Sequence, residues 1–95
     1  MFNEREVVTK ILNGDMGAFE SLVKQYERLV YVVVSRLVRE REDVEDVCQE
    51  VFIKVYSSLF RFGFKSKLST WIARIAYFTG INYIKKHKKE EKFDK

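Results

Sequence analysis

The chain has 95 residues, of which 46% are hydrophobic and 15% aromatic, and its formal net charge is +4 at pH 7. This size fits one domain with a modest core, and the apolar content excludes a disordered chain, which would bury too little surface to offset its entropy. No stretch approaches the roughly 18 apolar residues of a membrane span, and the start is too charged for a signal peptide, so we expect a cytoplasmic protein. A single cysteine and a single histidine supply neither a disulfide nor a zinc site, so we expect no cofactor.

The first predicted helix is short and covers about residues 3–13. Val7, Val8, Ile11 and Leu12 recur on one side of it, and Gly14 stands where a helix commonly ends.

The second predicted helix follows Asp15, a good N-cap, and runs to about Val38. Its apolar residues keep the spacing of one helical face: Phe19, Leu22, Val23, Tyr26, Leu29, Val30, Val33, Val34 and Leu37. By propensity alone, residues 29–34 fit a buried strand equally well, because β-branched residues are common in strands. We favour a helix because the chain offers no partner strand.

The third predicted helix is capped by Asp43, after a charged surface connection at residues 39–42. Its apolar stripe contains Val44, Val47, Cys48, Val51, Phe52, Val55 and Leu59. Cys48 is therefore expected to act as a small core residue.

A polar face lies opposite that stripe and consists of Asp46, Gln49, Glu50 and Ile53. Such a face suits pairing with a helix that bears arginines, because carboxylate and amide oxygens accept fork-shaped hydrogen bonds and Ile53 adds an apolar anchor. An ordinary solvated face is the alternative.

Between residues 60 and 67 the helical and strand periodicities both fail, which predicts a loop. Three phenylalanines alternate there with cations, a combination typical of single-strand binders, whose rings stack on bases while cations follow phosphates. We assign nucleic-acid binding to these loop residues: Phe60, Arg61, Phe62, Lys65, Ser66 and Lys67. Alternatively the rings plug the end of a helical bundle, and at least one of Phe60, Phe62 and Phe64 is expected in the core.

The fourth predicted helix begins at Leu68 or Ser69. Its buried stripe should contain Leu68, Trp71 or Ile72, Ile75, Ala76, Thr79 and Tyr83. Further candidate nucleic-acid contacts on this helix are aromatic rings and cations together with one hydroxyl: Thr70, Trp71, Arg74, Tyr77, Phe78, Lys85 and Lys86. The alternative is that Tyr77 and Phe78 pack on the first helix.

Charge is divided unevenly along the chain. Residues 1–50 hold seven basic and eleven acidic side chains, whereas residues 51–95 hold eleven basic and three acidic ones. This asymmetry predicts one surface that approaches polyphosphate, through Lys88 and Lys89 among others, and another that suits a protein partner. Residues 87–95 are expected to form a frayed basic tail, for which a role in solubility alone is the alternative.

No pattern in the chain is typical of catalysis. It lacks a carboxylate pair in an apolar setting, a nucleophile with a base, and a glycine loop for phosphate. The sequence thus predicts a non-enzymatic, all-α single domain over residues 1–95, a compact bundle of about four helices.

Several segments, in this order and at this spacing, resemble the sigma factors of RNA polymerase, in particular the second conserved region of the extracytoplasmic-function, sigma-70-like group. They are Gly14 with Asp15, residues 18–20 and 22–23, then residues 43–52, 68–72 and 74–76. The resemblance spans nearly the whole chain.

The resemblance implies that Asp46, Gln49 and Glu50 dock on the coiled-coil clamp helices of the polymerase β′ subunit. It implies that the loop at residues 60–67 holds a base flipped from the non-template strand of the promoter minus-ten element, and that the helix from Ser69 contacts that element. The implied function is promoter recognition and melting in transcription initiation, with core polymerase and promoter DNA as partners, no membrane, and an anti-sigma factor left open as a further partner.

Two features depart from the family pattern. Phe78 stands where that pattern usually has asparagine, which puts a polar contact in doubt. The chain also stops after its lysine tail, without a helix-turn-helix to read the minus-thirty-five element, so an excised domain and a truncated protein are both open.

Two other functions compete with this one. A helical protein-interaction module would bind a partner through the acidic face and no nucleic acid. A double-strand reader of helix-turn-helix type is disfavoured, because an eight-residue aromatic loop precedes the last helix where that motif needs a turn of about three or four residues.

Overall fold

Helices account for most of the chain. The computed structural model describes the backbone of residues 2–93 and the side chains of residues 2–88, and within these it contains four α-helices and one 3-10 turn. They are α1 (Glu4–Leu12), α2 (Met16–Ser35), α3 (Arg41–Ser58), the 3-10 turn Leu59–Arg61 and α4 (Leu68–Phe93). The predicted all-α fold is confirmed, and residues 29–34 are helical.

Both α1 and α2 begin at a side-chain cap, and a tight turn at residues 13–15 joins the two helices. Asn3 caps α1, its side chain accepting a bond from the Glu6 amide at 3.0 Å, and Gly14 adopts the left-handed φ of +95° that glycine favours after a helix. Asp15 caps α2 as predicted, accepting from the Ala18 amide at 3.1 Å.

The start of α3 and the end of α2 differ from the prediction. α3 begins two residues before Asp43, because the extended Glu40 places its carbonyl to accept from the Val44 amide at 2.9 Å. Asp43 therefore lies in the first turn, where a negative charge favours the helix without capping it. α2 ends at Ser35 rather than near Val38.

The core receives side chains from all four helices and from the loop. Its buried apolar members are Val8, Ile11, Ala18, Leu22, Val30, Val34, Val38, Val44, Val47, Val51, Val55, Leu59, Phe62, Leu68, Ile72 and Ala76. Thr79 is also buried, and its hydroxyl donates to the Ile75 carbonyl at 2.6 Å. Cys48 is half-buried against this core. Leu12, expected on the inner face of α1, lies at the edge of that face and is 51% exposed.

α2, α3 and α4 pack against one another, and α1 lies across α2 and reaches the 3-10 turn. Gly80 permits a close approach of α4 to the segment just after α2, since a Cβ there would lie 2.8 Å from Leu37 Cδ1. α4 continues to Phe93, beyond Lys86, where we expected fraying to begin. The side chain of Lys89 lies outside the described residues, and the basic tail stays a prediction.

Candidate nucleic-acid and protein interfaces

The acidic ridge, which we define as Asp46, Gln49, Glu50 and Ile53, lies open on α3. All four side chains are exposed, and Ile53 is 67% exposed. Glu50 pairs with Lys54 at 3.7 Å, an exposed pair one helical turn away that contributes little to stability. The ridge therefore offers acceptors around an uncovered aliphatic side chain, as the sequence predicts.

One end of the ridge meets the C-terminal half of α4. Asp46 and Glu50 line an open groove of about 390 Å³ together with Lys54, Lys86 and His87. Lys86 was predicted as a DNA contact, yet it lies beside the acidic ridge. The two surfaces that the charge division predicts therefore meet at this end of the molecule.

The aromatic loop, residues 60–67, leaves one phenylalanine largely exposed to solvent. Phe60 is 65% exposed, and the Arg61 guanidinium carbon lies 5.2 Å from the centre of its ring. Lys65, Ser66 and Lys67 are exposed as well. A ring beside cations is the arrangement that stacks on a base while holding its phosphate.

The structure corrects the predicted nucleic-acid contacts at Phe62, which is buried. It is only 4% exposed, and its ring lies between those of Phe64 and Trp71, at centroid distances of 5.0 and 5.3 Å. Stacking on a base would require Phe62 to leave the core. The alternative that a ring of this loop packs into the end of the bundle thus holds for Phe62. Trp71 is half-buried and packs against the same core.

Beyond Phe62 the loop reverses through two consecutive residues of left-handed conformation, Gly63 at φ +65° and Phe64 at φ +58°. The turn leaves an open hollow of about 340 Å³ between the loop and the start of α1. Its lining is Glu4, Arg5, Phe64, Lys65, Ser66 and Lys67. Glu4 and Arg5 were absent from the sequence prediction, because residues some 60 positions away leave no local periodic signal.

The outer face of α4 forms a second groove, against α2. Thr70, Arg74, Tyr77 and Phe78 line it together with residues of and just after α2, namely Val33, Arg36 and Leu37, around a volume of about 670 Å³. Tyr77 and Phe78 are 48% and 56% exposed and contact each other edge to face at 5.5 Å. They do not pack on α1, so that alternative is wrong. Arg36 is a cation that the sequence did not single out.

Other features of the described residues are less suggestive of a site. Among the residues described, no group of His, Cys, Asp and Glu is placed to hold a metal ion, and no helix in that part of the chain is long and apolar enough to cross a membrane.

Burial, together with the nearby Glu45, raises the pKa of the Cys48 thiol above its ordinary value. Cys48 is thus placed as a packing residue.

Comparison with known proteins identifies relatives of this chain. The family described as Sigma-70 region 2 matches residues 22–90. The chain is 35% identical to the RNA polymerase sigma-H factor of Pseudomonas aeruginosa and 42% identical to the ECF RNA polymerase sigma-E factor of Escherichia coli K12, in each case over 81 residues. These stretches cover 85% of this chain and 42% of either relative, so the chain spans about two fifths of their length.

A solved structure has the same fold. It is the NMR structure of an engineered region 2 of sigmaE in complex with GTAAAA, which is 39% identical to this chain. The two superpose with a TM-score of 0.86 over 94% of this chain and 93% of the other.

Proposed function

The chain belongs to the sigma-70 region 2 family, and we propose that it recognises and melts the promoter minus-ten element as the region 2 domain of an RNA polymerase sigma factor. The observation that carries this proposal is the pairing of exposed rings with cations on the aromatic loop and on the outer face of α4. A relative of the same fold was solved with the sequence GTAAAA bound, which supports a nucleic-acid role for these surfaces.

Melting is explained by binding energy. Extruding a base from a duplex costs a few kcal/mol, and each base stacked on an aromatic ring returns about 1–3 kcal/mol. Phe60, Tyr77 and Phe78 provide exposed rings for this purpose, and Arg61 and Arg74 lie beside them for the phosphates. The protein thus captures an opened strand and performs no covalent step, so we assign it no enzymatic activity.

We place the flipped non-template base in the hollow between α1 and the aromatic loop. Phe64 supplies a half-buried ring, and Lys65, Ser66 and Lys67 supply hydrogen-bond donors for a base edge or a phosphate. The neighbouring groove of Tyr77 and Phe78 takes the adjoining nucleotides. Arg36 joins Arg74 there as a phosphate contact.

We assign the acidic ridge to core RNA polymerase, specifically to the clamp helices of the β′ subunit. Carboxylate and amide groups around the exposed Ile53 suit a helix that carries arginines. An anti-sigma factor is the other partner that the resemblance raises, and a cytoplasmic location follows from a role on promoter DNA.

Strand preference tests the DNA role directly. Fluorescence anisotropy with labelled GTAAAA as a single strand and within a duplex should give tighter binding to the single strand, because only unpaired bases expose their faces to the rings.

Asp46→Arg or Gln49→Ala should weaken capture by a β′ clamp-helix fragment, with Glu20→Arg as the control on α2.

The outcome also separates the competing functions. Equal affinity for strand and duplex contradicts the assignment of the loop. Binding to the clamp helices without any DNA binding instead favours the protein-interaction module.

A further inference from the structure

The start of α1 is tied to the beginning of α4 by a long-range hydrogen bond. The Glu4 carboxylate accepts from the backbone amide of Leu68, 64 residues along the chain. Leu68 is the first residue of α4, and the amides of a first helical turn have no partner within the helix. The Lys67 carbonyl accepts from the Trp71 amide at 3.1 Å, so Lys67 occupies the cap position, and its side chain offers no acceptor. Glu4 therefore supplies the acceptor and negative charge that the local sequence lacks.

A second contact joins the next residue of α1 to the aromatic loop. The Arg5 guanidinium carbon lies 4.1 Å from the centre of the Phe64 ring. Phe64 has a φ of +58°, a conformation that residues other than glycine rarely adopt. Its ring contacts both the Arg5 guanidinium and the ring of Phe62, the latter at a centroid distance of 5.0 Å. The strained turn that shapes the hollow is thus fixed through its side chain.

α1 is itself well anchored. Val8 and Ile11 are buried in the core, and Phe2, just before the helix, contacts Tyr26 of α2 edge to face at 5.6 Å. Because α1 is fixed against the core, the contacts of its first residues also restrict the position of the aromatic loop. Glu4 and Arg5 also line the hollow that the loop encloses.

We infer that Glu4 and Arg5 are positioning residues for the aromatic loop, Glu4 by fixing the first turn of α4 and Arg5 by fixing Phe64, so that the base-binding hollow exists before a strand arrives. This inference rests on the proposed function and adds α1 to the DNA site. A loop ordered in advance loses less conformational freedom on binding, which increases affinity.

Amide hydrogen exchange tests the support without DNA. In Glu4→Ala, exchange at Leu68 and across residues 62–67 should accelerate about tenfold, the factor expected for losing one hydrogen bond. Glu4→Gln, which keeps an oxygen acceptor, should restore most of the protection. Glu6→Ala is the matched control, because Glu6 lies on the same turn of α1 and its carboxylate pairs with the exposed Lys10 of the same helix. Exchange at Leu68 that is no faster in Glu4→Ala than in Glu6→Ala overturns the inference.

Strand binding tests the consequence for recognition. A set of labelled GTAAAA strands, each with one abasic position, identifies the base held by the hollow as the one whose removal weakens wild-type binding most, by about tenfold for one stacked base. In Glu4→Ala and Arg5→Ala, removing the base at that position should weaken binding by less than about threefold. Removing a base at any other position should weaken binding as much as it does in the wild-type chain. Arg5→Lys, which keeps the charge, should retain an intermediate loss. If removing that base weakens binding to Glu4→Ala as strongly as to the wild-type chain, the inference is contradicted and the proposed function remains intact.

The two failures are distinguishable. A wild-type chain that binds all abasic strands and the intact strand alike contradicts the proposed function. In that case the exchange rates at Leu68 still decide whether α1 holds the loop.

Discussion

Phe60 and Phe62 lie two residues apart and have different surroundings. Phe60 is 65% exposed beside Arg61, whereas Phe62 is 4% exposed between Phe64 and Trp71. The sequence predicted that at least one ring of this loop is core, and it could not say which. The 3-10 turn at Leu59–Arg61 decides that, because it turns one ring inward and leaves the other in solvent.

Truncation should separate the two roles. Phe62→Ala is expected to destabilise the fold by about 3–5 kcal/mol, as for other buried phenylalanines. Phe60→Ala should change stability by less than about 0.5 kcal/mol and weaken single-strand binding by about 1–3 kcal/mol. Urea denaturation and anisotropy measure the two effects, with Tyr31→Ala, an exposed ring on α2, as the control. Loss of stability in Phe60→Ala would contradict its placement.

Cys48 and Tyr26 make the fold sensitive to alkaline pH. Burial raises the pKa of the Cys48 thiol and, with Glu4 adding to it, the pKa of Tyr26. Since each folded pKa lies above the unfolded one, the stabilisation is complete below the unfolded pKa and is lost as pH rises through the folded pKa. The urea midpoint should therefore fall as pH rises above about 8.5, where a free thiol ionises, and fall further above about pH 10, where a free tyrosine does. Cys48→Ala should make that fall shallower, and an unchanged pH slope contradicts the raised thiol pKa.

At the scale of elements, apolar spacing predicted the helices because each buries one face against the others. The stripe of Val44, Val47, Val51 and Val55 is buried as expected. Boundaries set by backbone geometry were missed, since the Glu40 carbonyl starts α3 without a capping side chain. Contacts between distant segments, such as Glu4 with Leu68, left no local pattern to read.

Gly80 lets α4 lie close to Leu37, just after the end of α2. A Cβ at Gly80 would lie 2.8 Å from Leu37 Cδ1 and 3.5 Å from its Cβ. Leu37 also lines the groove with Tyr77 and Phe78, so the close approach shapes the candidate DNA surface.

Gly80→Ala should therefore change the free energy of unfolding by less than about 1 kcal/mol, because the Leu37 Cδ1 that the new Cβ meets is the movable end of a side chain, and the gain in helix propensity of about 1 kcal/mol offsets the cost of moving it. In the double variant with Leu37→Ala the contact disappears, so Gly80→Ala should be more favourable there than in the wild-type chain. Thermal denaturation of the four proteins in this cycle measures the coupling. Strictly additive effects would contradict the close approach of Gly80 and Leu37.

At the scale of the whole molecule, charge and exposed apolar side chains define two candidate binding regions on one small bundle. The acidic ridge lies on α3, and the rings and cations lie on the aromatic loop and the outer face of α4. The charge division along the chain indicated two such surfaces, and their assignment to DNA and to a protein stays a prediction. The charge division did not predict that Lys86 would share a groove with Asp46 and Glu50, because that depends on how α4 crosses α3.

The central claim is that these regions serve different partners, and one pair of uncharged truncations tests it most directly. Ile53→Ala and Phe60→Ala should each be measured against a β′ clamp-helix fragment and against single-stranded GTAAAA. We predict that Ile53→Ala weakens clamp-helix binding about tenfold and leaves strand binding within about twofold, and that Phe60→Ala does the reverse. A variant that weakens both interactions equally, or neither, would contradict the assignment of separate partners to the two regions.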